Sequence, residues 1–173
     1  MVLSIIRTIW SRLRPTPRLR CDERLWREIL RELRVRGQGR RESGGFLLGR
    51  VEGETKIITS FLPYDAVDPN CLQGIIIFDG SRMDDVWRIC EQQGCSVVAD
   101  VHTHPGASYR QSDVDQSHPM IPERGHLALI VPNYANRDYM PGEFGIHEYR
   151  GRRDGWSDLS SLGRKLFRVR RFA

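Results

Sequence analysis

The sequence predicts a single domain of the α+β or α/β class, an α/β/α sandwich-like arrangement of helices on a β-sheet. Two observations predict this fold. Amphipathic helical patterns and short β-prone runs follow one another along the chain, an order that layers helices on a sheet. The chain has 173 residues, of which 39% are hydrophobic and 28% charged, so it has an ordinary globular composition and is long enough to bury a core.

The first predicted elements are a helix and a hairpin. Residues 21–35 carry apolar side chains at positions 25, 26, 29, 30 and 33, which form one face of a helix that Gly37 would end. Two β-prone runs follow at about 43–51 and 55–62, joined by Glu52-Gly53-Glu54. Because a glycine between two charged residues suits a tight turn, these runs predict a pair of antiparallel strands.

The rest of the chain adds a second helix and further strands. Residues 63–74 resemble a loop, and the sequence Ile-Ile-Ile-Phe at 75–78 predicts a short strand. Residues 81–93 form a second amphipathic pattern of helical period. The apolar run at 126–131 predicts a buried strand, and residues 144–149 predict another.

The most informative motif is His102-Thr103-His104-Pro105, which follows the β-prone run at 95–101. Side chains at positions i and i+2 of a strand share one face, so both imidazoles can point at a common metal ion. Taken alone, two histidines near a strand end are more often surface or core residues than ligands. The motif therefore needs a third ligand nearby.

A third ligand is available in Ser112-Asp113-Val114-Asp115, which is separated from the second histidine by seven residues. Ser112 and Asp115 also fit a helix capping box, an alternative that leaves the histidines unexplained. Pro119 would end this helix after about two turns, too short for stability by itself. A short helix that brings Asp115 to His102 and His104 fits a catalytic zinc site, which has three protein ligands and one open position.

Hydrolysis at such a site also needs a base. Zinc lowers the pKa of its water to about 7, and a nearby carboxylate can carry the proton to the leaving group. Glu42 is the candidate, because it immediately precedes the glycine-containing run Ser43-Gly44-Gly45-Phe46-Leu47-Leu48-Gly49. The alternative is a solvated acid at a strand end, beside Arg40 and Arg41.

Together, Glu42 with Gly-Gly-Phe-Leu-Leu-Gly, His-Thr-His-Pro and Ser-Asp-Val-Asp resemble the JAMM (JAB/MPN+) family of zinc isopeptidases over roughly residues 22–149. The resemblance implies the MPN/cytidine-deaminase-like fold, a curved mixed sheet between two main helices with zinc at its mouth. It implies that His102, His104 and Asp115 bind one zinc ion (Zn2+), that Glu42 is general base and acid, and that Ser112 hydrogen-bonds the oxyanion. RadC-like proteins share the histidine and serine motifs; the upstream glycine strand and the Gly-His-Leu-Ala-Leu-Ile-Val-Pro run favour the isopeptidases.

The resemblance also implies a reaction and partners. The expected activity is hydrolysis at the C-terminus of a ubiquitin-like protein, in deconjugation or precursor processing, within a bacterial pathway of E1- and E2-like enzymes that serves antiviral defence. Residues 63–74 and 132–142 would frame the groove for the substrate tail. One alternative is processing of a sulfur carrier at the same site. Another is a non-catalytic MPN scaffold, against which the intact motif counts.

Charge is segregated along the chain. The net charge of the chain is +5. Residues 1–20 hold five arginines and residues 162–173 hold five basic residues, and neither segment contains an acid. Without these ten, 17 of the 27 basic residues remain against 22 acidic residues, so the middle of the chain is acidic. We therefore expect a basic N-terminal segment (1–20), an isopeptidase domain (21–160) and a basic C-terminal tail (161–173). The two basic segments are expected to dock on a partner or an acidic surface. Nucleic acid is not expected, since no motif for reading it is present.

Other features indicate a cytoplasmic protein. No continuous apolar run reaches the 18 or so residues of a membrane span. The apolar run at 1–10 contains Arg7 and is followed, not preceded, by charges, unlike a signal peptide. The four cysteines form no Cys-x-x-Cys pair and are expected to be reduced.

Four further residues could be mistaken for ligands. His118 and Glu123 lie among prolines after the metal motif, where loop surface is the expected position. His126 and His147 lie on β-prone runs and are expected to be histidines of the core edge or the surface. The predicted metal site does not need any of them.

Overall fold

A computed structural model describes residues 16–171, and a single eight-stranded mixed sheet organises them. Its strands are β1 (Leu19–Asp22), β2 (Gly44–Glu52), β3 (Thr55–Pro63), β4 (Ser96–Thr103), β5 (Leu127–Val131), β6 (Gly145–Tyr149), β7 (Trp156–Asp158) and β8 (Phe167–Arg170). Their order across the sheet is β7-β6-β5-β4-β2-β3-β1-β8. Strand β4 therefore lies in the interior of the sheet, antiparallel to β2 and parallel to β5.

The helices are α1 (Glu23–Gly37), α2 (Tyr64–Val67), α3 (Met83–Gln93), α4 (Asp113–Ser117) and α5 (Gly163–Leu166), with 3-10 turns at Gly80–Arg82, Asn133–Ala135 and Ser160–Leu162. Helix α1 begins where the Asp22 carboxylate accepts a hydrogen bond from the Arg24 amide (2.8 Å). It ends at Gln38, which adopts a left-handed conformation with φ of 54°. The predicted helix at 21–35 is confirmed, with its end at Gly37.

Each face of the sheet buries a separate apolar cluster. On one face, α1 places Trp26, Ile29, Leu30 and Leu33 against side chains that include Leu47. The other face is covered by α3 and by residues after β3, and its cluster is built from Phe46, Leu48, Tyr64, Val67, Cys71, Leu72, Val86, Cys90 and Ile121. Because neighbouring residues of β2 point to opposite faces, this strand contributes to both clusters.

The sheet is strongly curved around α1. The ring of Trp26 lies 5.3 Å from that of Phe144, just before β6, and 5.0 Å from that of Phe167, which begins the edge strand β8. Arg18, before β1, forms an ion pair of 2.7 Å with Glu148 of β6. These contacts join residues from distant parts of the sheet, so the sheet curls into a half-barrel. The predicted curved mixed sheet flanked by helices, in one domain, is confirmed.

The prediction of a strand at residues 75–78 is wrong. That segment has an isolated bridge between Leu72 and Ile76 instead of a strand. The Ile77 amide donates to the Cys71 carbonyl (2.9 Å), so the backbone folds on itself and does not pair with the sheet. Ile75 and Ile77 are about half exposed, while Ile76 packs on the second cluster. The side chains of this segment are alternately exposed and partly buried, as in a strand, but its backbone is irregular.

Three short strands, β1, β7 and β8, were not predicted. The segment at 161–173, expected to be a basic tail, forms α5 and β8 as far as Arg170, and Phe167 is buried. The signal was present in Phe167-Arg168-Val169-Arg170, which alternates apolar and charged residues, but four residues with two arginines also resemble a solvated tail. Of the basic segment predicted at 1–20, residues 1–15 lie outside the described part of the chain.

All four cysteines are free thiols, as the sequence predicted. Burial raises the pKa of Cys21 and Cys71 to about 12 and that of Cys90 to about 11, so these thiols stay protonated and are poor nucleophiles. Within residues 16–171, none of the helices has the length and apolar character needed to cross a membrane.

The position of β8 gives a test of the fold. Phe167→Ala should lower the free energy of unfolding by about 3–5 kcal/mol, because it empties a site packed against Trp26 and Phe144. Chemical unfolding followed by circular dichroism measures the change. Leu162→Ala is the control, since Leu162 is 42% exposed, and it should change stability by less than about 0.5 kcal/mol. Equal effects of the two substitutions would contradict the packing of β8.

Candidate metal centre

The two histidines of the motif lie at the end of β4. His102 is held on both sides by the sheet, since it pairs with Gly44 of β2 and with Ile130 of β5. His104 lies just beyond the strand, where its amide donates to the Val131 carbonyl (2.9 Å). Both side chains point to the face opposite α1 and are largely buried. Their Nε2 atoms are 3.1 Å apart, so the rings converge as the sequence predicted.

Helix α4 brings Asp115 to these histidines. Ser112 caps the helix: its hydroxyl accepts from the Asp115 amide (3.2 Å), and Asp115 Oδ2 accepts from the Ser112 amide (2.7 Å) and hydroxyl (2.8 Å). The capping box and the metal-ligand interpretation are therefore compatible, because the same carboxylate caps the helix and faces the histidines. The box fixes the orientation of a carboxylate on a helix of only five residues.

The donor atoms of His102, His104 and Asp115 converge, and we call these three residues the triangle. The distances are 3.1 Å between the two Nε2 atoms, 3.2 Å from His104 Nε2 to Asp115 Oδ2 and 3.4 Å from His102 Nε2 to the other carboxylate oxygen, Asp115 Oδ1. A tetrahedral ion with bonds of 2.0–2.1 Å requires donors about 3.3 Å apart. In the described residues this is the one group of three histidine, cysteine or acidic side chains close enough to hold a metal. The donor spacing is therefore compatible with a zinc ion held by these three side chains.

The electrostatics of the triangle favour a cation. Burial by itself would raise the pKa of Asp115, but hydrogen bonds from His102 and His104 hold that pKa far below its ordinary range. Burial likewise disfavours the charged form of His102, yet the Asp115 carboxylate raises the pKa of this imidazole above its ordinary value. The Asp115 carboxylate thus stabilises positive charge on its neighbours, and a cation bound there would take the place of the His102 proton.

Glu42 lies beside this triangle, immediately before β2. Its amide donates to the Gly74 carbonyl (2.8 Å), and its carboxylate accepts a hydrogen bond from the Ile76 amide. Burial raises the pKa of Glu42, opposed by the nearby positive charge of His102 and His104. A carboxyl group with a raised pKa next to a metal site has the properties of a general base and acid.

The alternative for Glu42 was a solvated acid beside two arginines. Arg40 instead bonds Gln38 (2.6 Å), and Arg41 donates to the Arg36 carbonyl (3.0 Å). Glu42 itself is half-buried. Its surroundings therefore differ from those of a surface acid.

The glycine run after Glu42 has a steric role that the sequence did not reveal. Gly44 is the neighbour of His102 across the β2–β4 pair. A Cβ atom at this position would lie 2.5 Å from Tyr64 Cε2 and 2.9 Å from His102 Cβ, well inside contact distance. Glycine is needed here so that Tyr64 and His102 can both approach the strand.

A second unpredicted feature anchors the loop between the two motifs. His147 on β6, expected at a core edge or surface, is buried and its Nε2 bonds the Tyr109 carbonyl (3.0 Å). A Cβ atom at Gly145 would lie 2.3 Å from that same carbonyl oxygen, so glycine makes room for the loop. The pair at 145 and 147, two residues apart on one strand, was the available signal. These residues fix the loop that leads to Ser112.

Three other residues that could be mistaken for ligands lie outside the triangle. His118 and Glu123 are exposed and lie outside the triangle. His126 also lies outside it; it is buried, and its Nε2 is 2.6 Å from Asp100 Oδ1.

Comparison with known proteins gives the family. Residues 22–139, well over half of the chain, match the family of prokaryotic homologs of the JAB domain. The fold is similar to the solution structure of a protein from Desulfitobacterium hafniense, with a TM-score of 0.64 and 16% identity over 89% of this chain and 94% of that one. It is also similar to the solution structure of a Salinibacter ruber protein, with a TM-score of 0.54 and 18% identity over 88% of this chain and 91% of that one. These two structures support the fold alone. The match over residues 22–139 makes this chain a member of the prokaryotic homologs of the JAB domain.

Proposed function

We propose that this protein is a zinc-dependent hydrolase that cleaves the amide bond at the C-terminus of a ubiquitin-like protein, either in a conjugate or in a precursor. The observation that carries the proposal is the triangle of His102, His104 and Asp115, whose donor spacing suits tetrahedral zinc. Glu42 beside it supplies the acid and base that hydrolysis needs. The motif resemblance to JAMM isopeptidases supports the choice of an amide substrate.

The chemistry divides between the ion and the protein. When bound, zinc would polarise the scissile carbonyl and activate water for attack. Glu42 takes a proton from the attacking water and gives it to the departing amine. Its raised pKa brings the protonated and ionised forms closer in energy, which eases both transfers.

Ser112 is proposed to donate a hydrogen bond to the oxyanion that forms on the substrate. Its side chain is exposed at the start of α4, and its hydroxyl lies 2.8 Å from the ligand carboxylate of Asp115. In the free protein the hydroxyl proton points to Asp115. Rotation about the side-chain bond would redirect the proton to the oxyanion, while the Ser112 amide keeps Asp115 in place.

Two segments between strands meet the site and would guide the substrate tail; the first contains α2 and the second a 3-10 turn. Gly74, at the end of the segment 63–74, accepts the Glu42 amide, and Tyr134, in the segment 132–142, donates its amide to the His104 carbonyl (2.9 Å). An extended tail lying between these segments would be held mainly by backbone hydrogen bonds, as in strand addition. By resemblance to the JAMM family, we expect glycine next to the scissile bond. The proposed partners are a ubiquitin-like protein and the E1- and E2-like enzymes that conjugate it, in a bacterial antiviral pathway.

The choice of substrate can be tested with three probes. One is a ubiquitin-like protein ending in Gly-Gly that is joined to a lysine through an isopeptide bond. The second is the same protein with a C-terminal extension, and the third is a sulfur-carrier protein with its C-terminal adduct. Turnover of the first two supports deconjugation and precursor processing. Turnover of the third alone would favour sulfur-carrier processing, and zinc binding without any turnover would favour a scaffold.

The metal assignment predicts one zinc ion per chain. His104→Ala removes one of three ligands and should abolish stoichiometric zinc, measured by elemental analysis after dialysis. His118→Ala is the matched control, because His118 is exposed and lies outside the triangle, and it should retain the metal. Equal zinc content in the two variants would refute the ligand set.

The role of Glu42 predicts a loss of turnover without a loss of metal. Glu42→Gln keeps the size of the side chain and an oxygen for the Ile76 amide, but cannot carry a proton. Hydrolysis should fall about 10²–10⁴-fold while zinc content stays at the wild-type level. Glu54→Gln, in the exposed hairpin turn, should be fully active. If Glu42→Gln loses its zinc, the carboxylate is a ligand; if it keeps near-normal activity, the base lies elsewhere.

The two roles of Ser112 can be separated by two substitutions. Ser112→Ala removes both the cap and the hydroxyl, and should lower turnover about 10²–10³-fold, the usual effect of losing one oxyanion donor. Ser112→Asp keeps a good capping acceptor but has no proton to donate when ionised, so it should retain the stability of the α4 turn, with turnover still reduced. Unfolding curves and single-turnover rates of both variants test this. Near-normal turnover of Ser112→Asp would show that capping is the only function of Ser112.

A further inference from the structure

We propose that Tyr64, Asp100 and His126 form a buried polar network that positions His102 and thereby increases the affinity of the centre for its metal. The inference rests on the proposed zinc site and concerns residues outside the triangle. Asp100 accepts from His126 Nε2 (2.6 Å) at one carboxylate oxygen and from the Tyr64 hydroxyl (3.2 Å) at the other. These three side chains are the network.

The network is enclosed by the second apolar cluster. Tyr64 is 1% exposed, Asp100 3% and His126 4%. The Tyr64 ring makes edge or tilted contacts with Phe46 (4.9 Å) and Phe78 (5.7 Å). Burial raises the pKa of Tyr64 well above its ordinary value, so its hydroxyl remains a hydrogen-bond donor to Asp100.

Burying such a polar network in a protein core costs solvation free energy. A buried carboxylate with two partners is often no more stabilising than apolar side chains of the same volume, because all of its polar groups lose water. The face of the sheet on which it lies is otherwise packed with apolar residues. Fold stability alone therefore gives a weak reason for a carboxylate at this position, and a role at the adjacent site gives a stronger one.

Geometry connects the network to His102 in two ways. Asp100 is two residues before His102 on β4, and the two side chains therefore project from the same face of the strand. Tyr64 and His102 are also neighbours above Gly44, where an added Cβ would lie 2.5 Å from the tyrosine ring and 2.9 Å from His102 Cβ. The tyrosine ring, held by its bond to Asp100, would therefore restrict the rotation of the His102 side chain.

This restraint matters because the site places the imidazole rings of His102 and His104 side by side. Two imidazole nitrogens 3.1 Å apart gain at most one hydrogen bond between them, and a free His102 ring could turn away. A fixed ring enters the complex without losing rotamer freedom on binding. Partners that orient a metal-binding histidine typically change metal affinity by 10–100-fold when they are removed.

The test measures zinc affinity by competition with a chromogenic chelator, using the full chain. Tyr64→Phe, Asp100→Asn and His126→Gln should each weaken zinc binding about 10–100-fold. Cobalt binding gives a second readout, since the visible absorption of the ion reports its coordination geometry and should broaden in the variants. Tyr64→Phe removes a single hydroxyl and is the variant expected to fold in any case.

Thr103→Val is the matched control for a general loss of stability. Thr103 lies between the two histidines but faces α1, where its hydroxyl accepts from the Ser43 amide (3.0 Å). This substitution also removes a buried hydrogen bond on β4, and should change zinc affinity less than about threefold. Stability of the metal-free variants is measured in parallel by chemical unfolding.

The outcomes separate the network from the site. Weakened zinc binding in the three network variants, with Thr103→Val near wild type, supports the proposal. Wild-type affinity in Tyr64→Phe and Asp100→Asn overturns it and leaves the proposed function intact. Equal weakening in Thr103→Val also overturns it, because the effect is then one of stability. A wild-type protein that binds no zinc refutes the metal centre itself.

Discussion

The register of β4 is the constraint on which the rest of the site depends. Successive residues of this strand point alternately to α1 and to the opposite face, so a slip of one residue would turn His102 away from Asp115. The α1 side fixes the register, because Ala99 and Val101 are fully buried there in the cluster around α1. Just before β2, the Ser43 hydroxyl donates to the Leu33 carbonyl at 2.7 Å, which ties this end of the sheet to α1. The metal face is therefore positioned by packing on the face that carries no chemistry.

The loop between the two motifs is attached to neighbouring segments close to the site. The His147 side chain bonds the Tyr109 carbonyl (3.0 Å), and the Asn133 amide donates to the Gly106 carbonyl (2.9 Å). The capping box then orients Asp115 within a single short turn. Strand β4 and its end thus position the two histidines, while a loop tied down at these points positions the carboxylate.

The parts of the site that sequence could predict are those whose geometry is local. The spacing of His102 and His104 follows from strand periodicity, and that of Ser112 and Asp115 from one helical turn. The network was not predictable in this way, because Tyr64 and His126 lie 36 and 26 residues from Asp100 and meet it only through the sheet. Strands β1 and β8 were missed for a related reason: each is four residues long and pairs with a parallel neighbour that is distant in sequence.

Glu42 shows why the site looks functional and not only structural. Its backbone amide, bonded to Gly74, would serve the fold equally well with any side chain. Its carboxyl group is half-buried, and burial raises its pKa against the opposing positive charge of His102 and His104. An acid with a perturbed pKa beside three convergent polar side chains is more typical of a functional site than of a purely structural position. These properties support the proposal that Glu42 carries the proton.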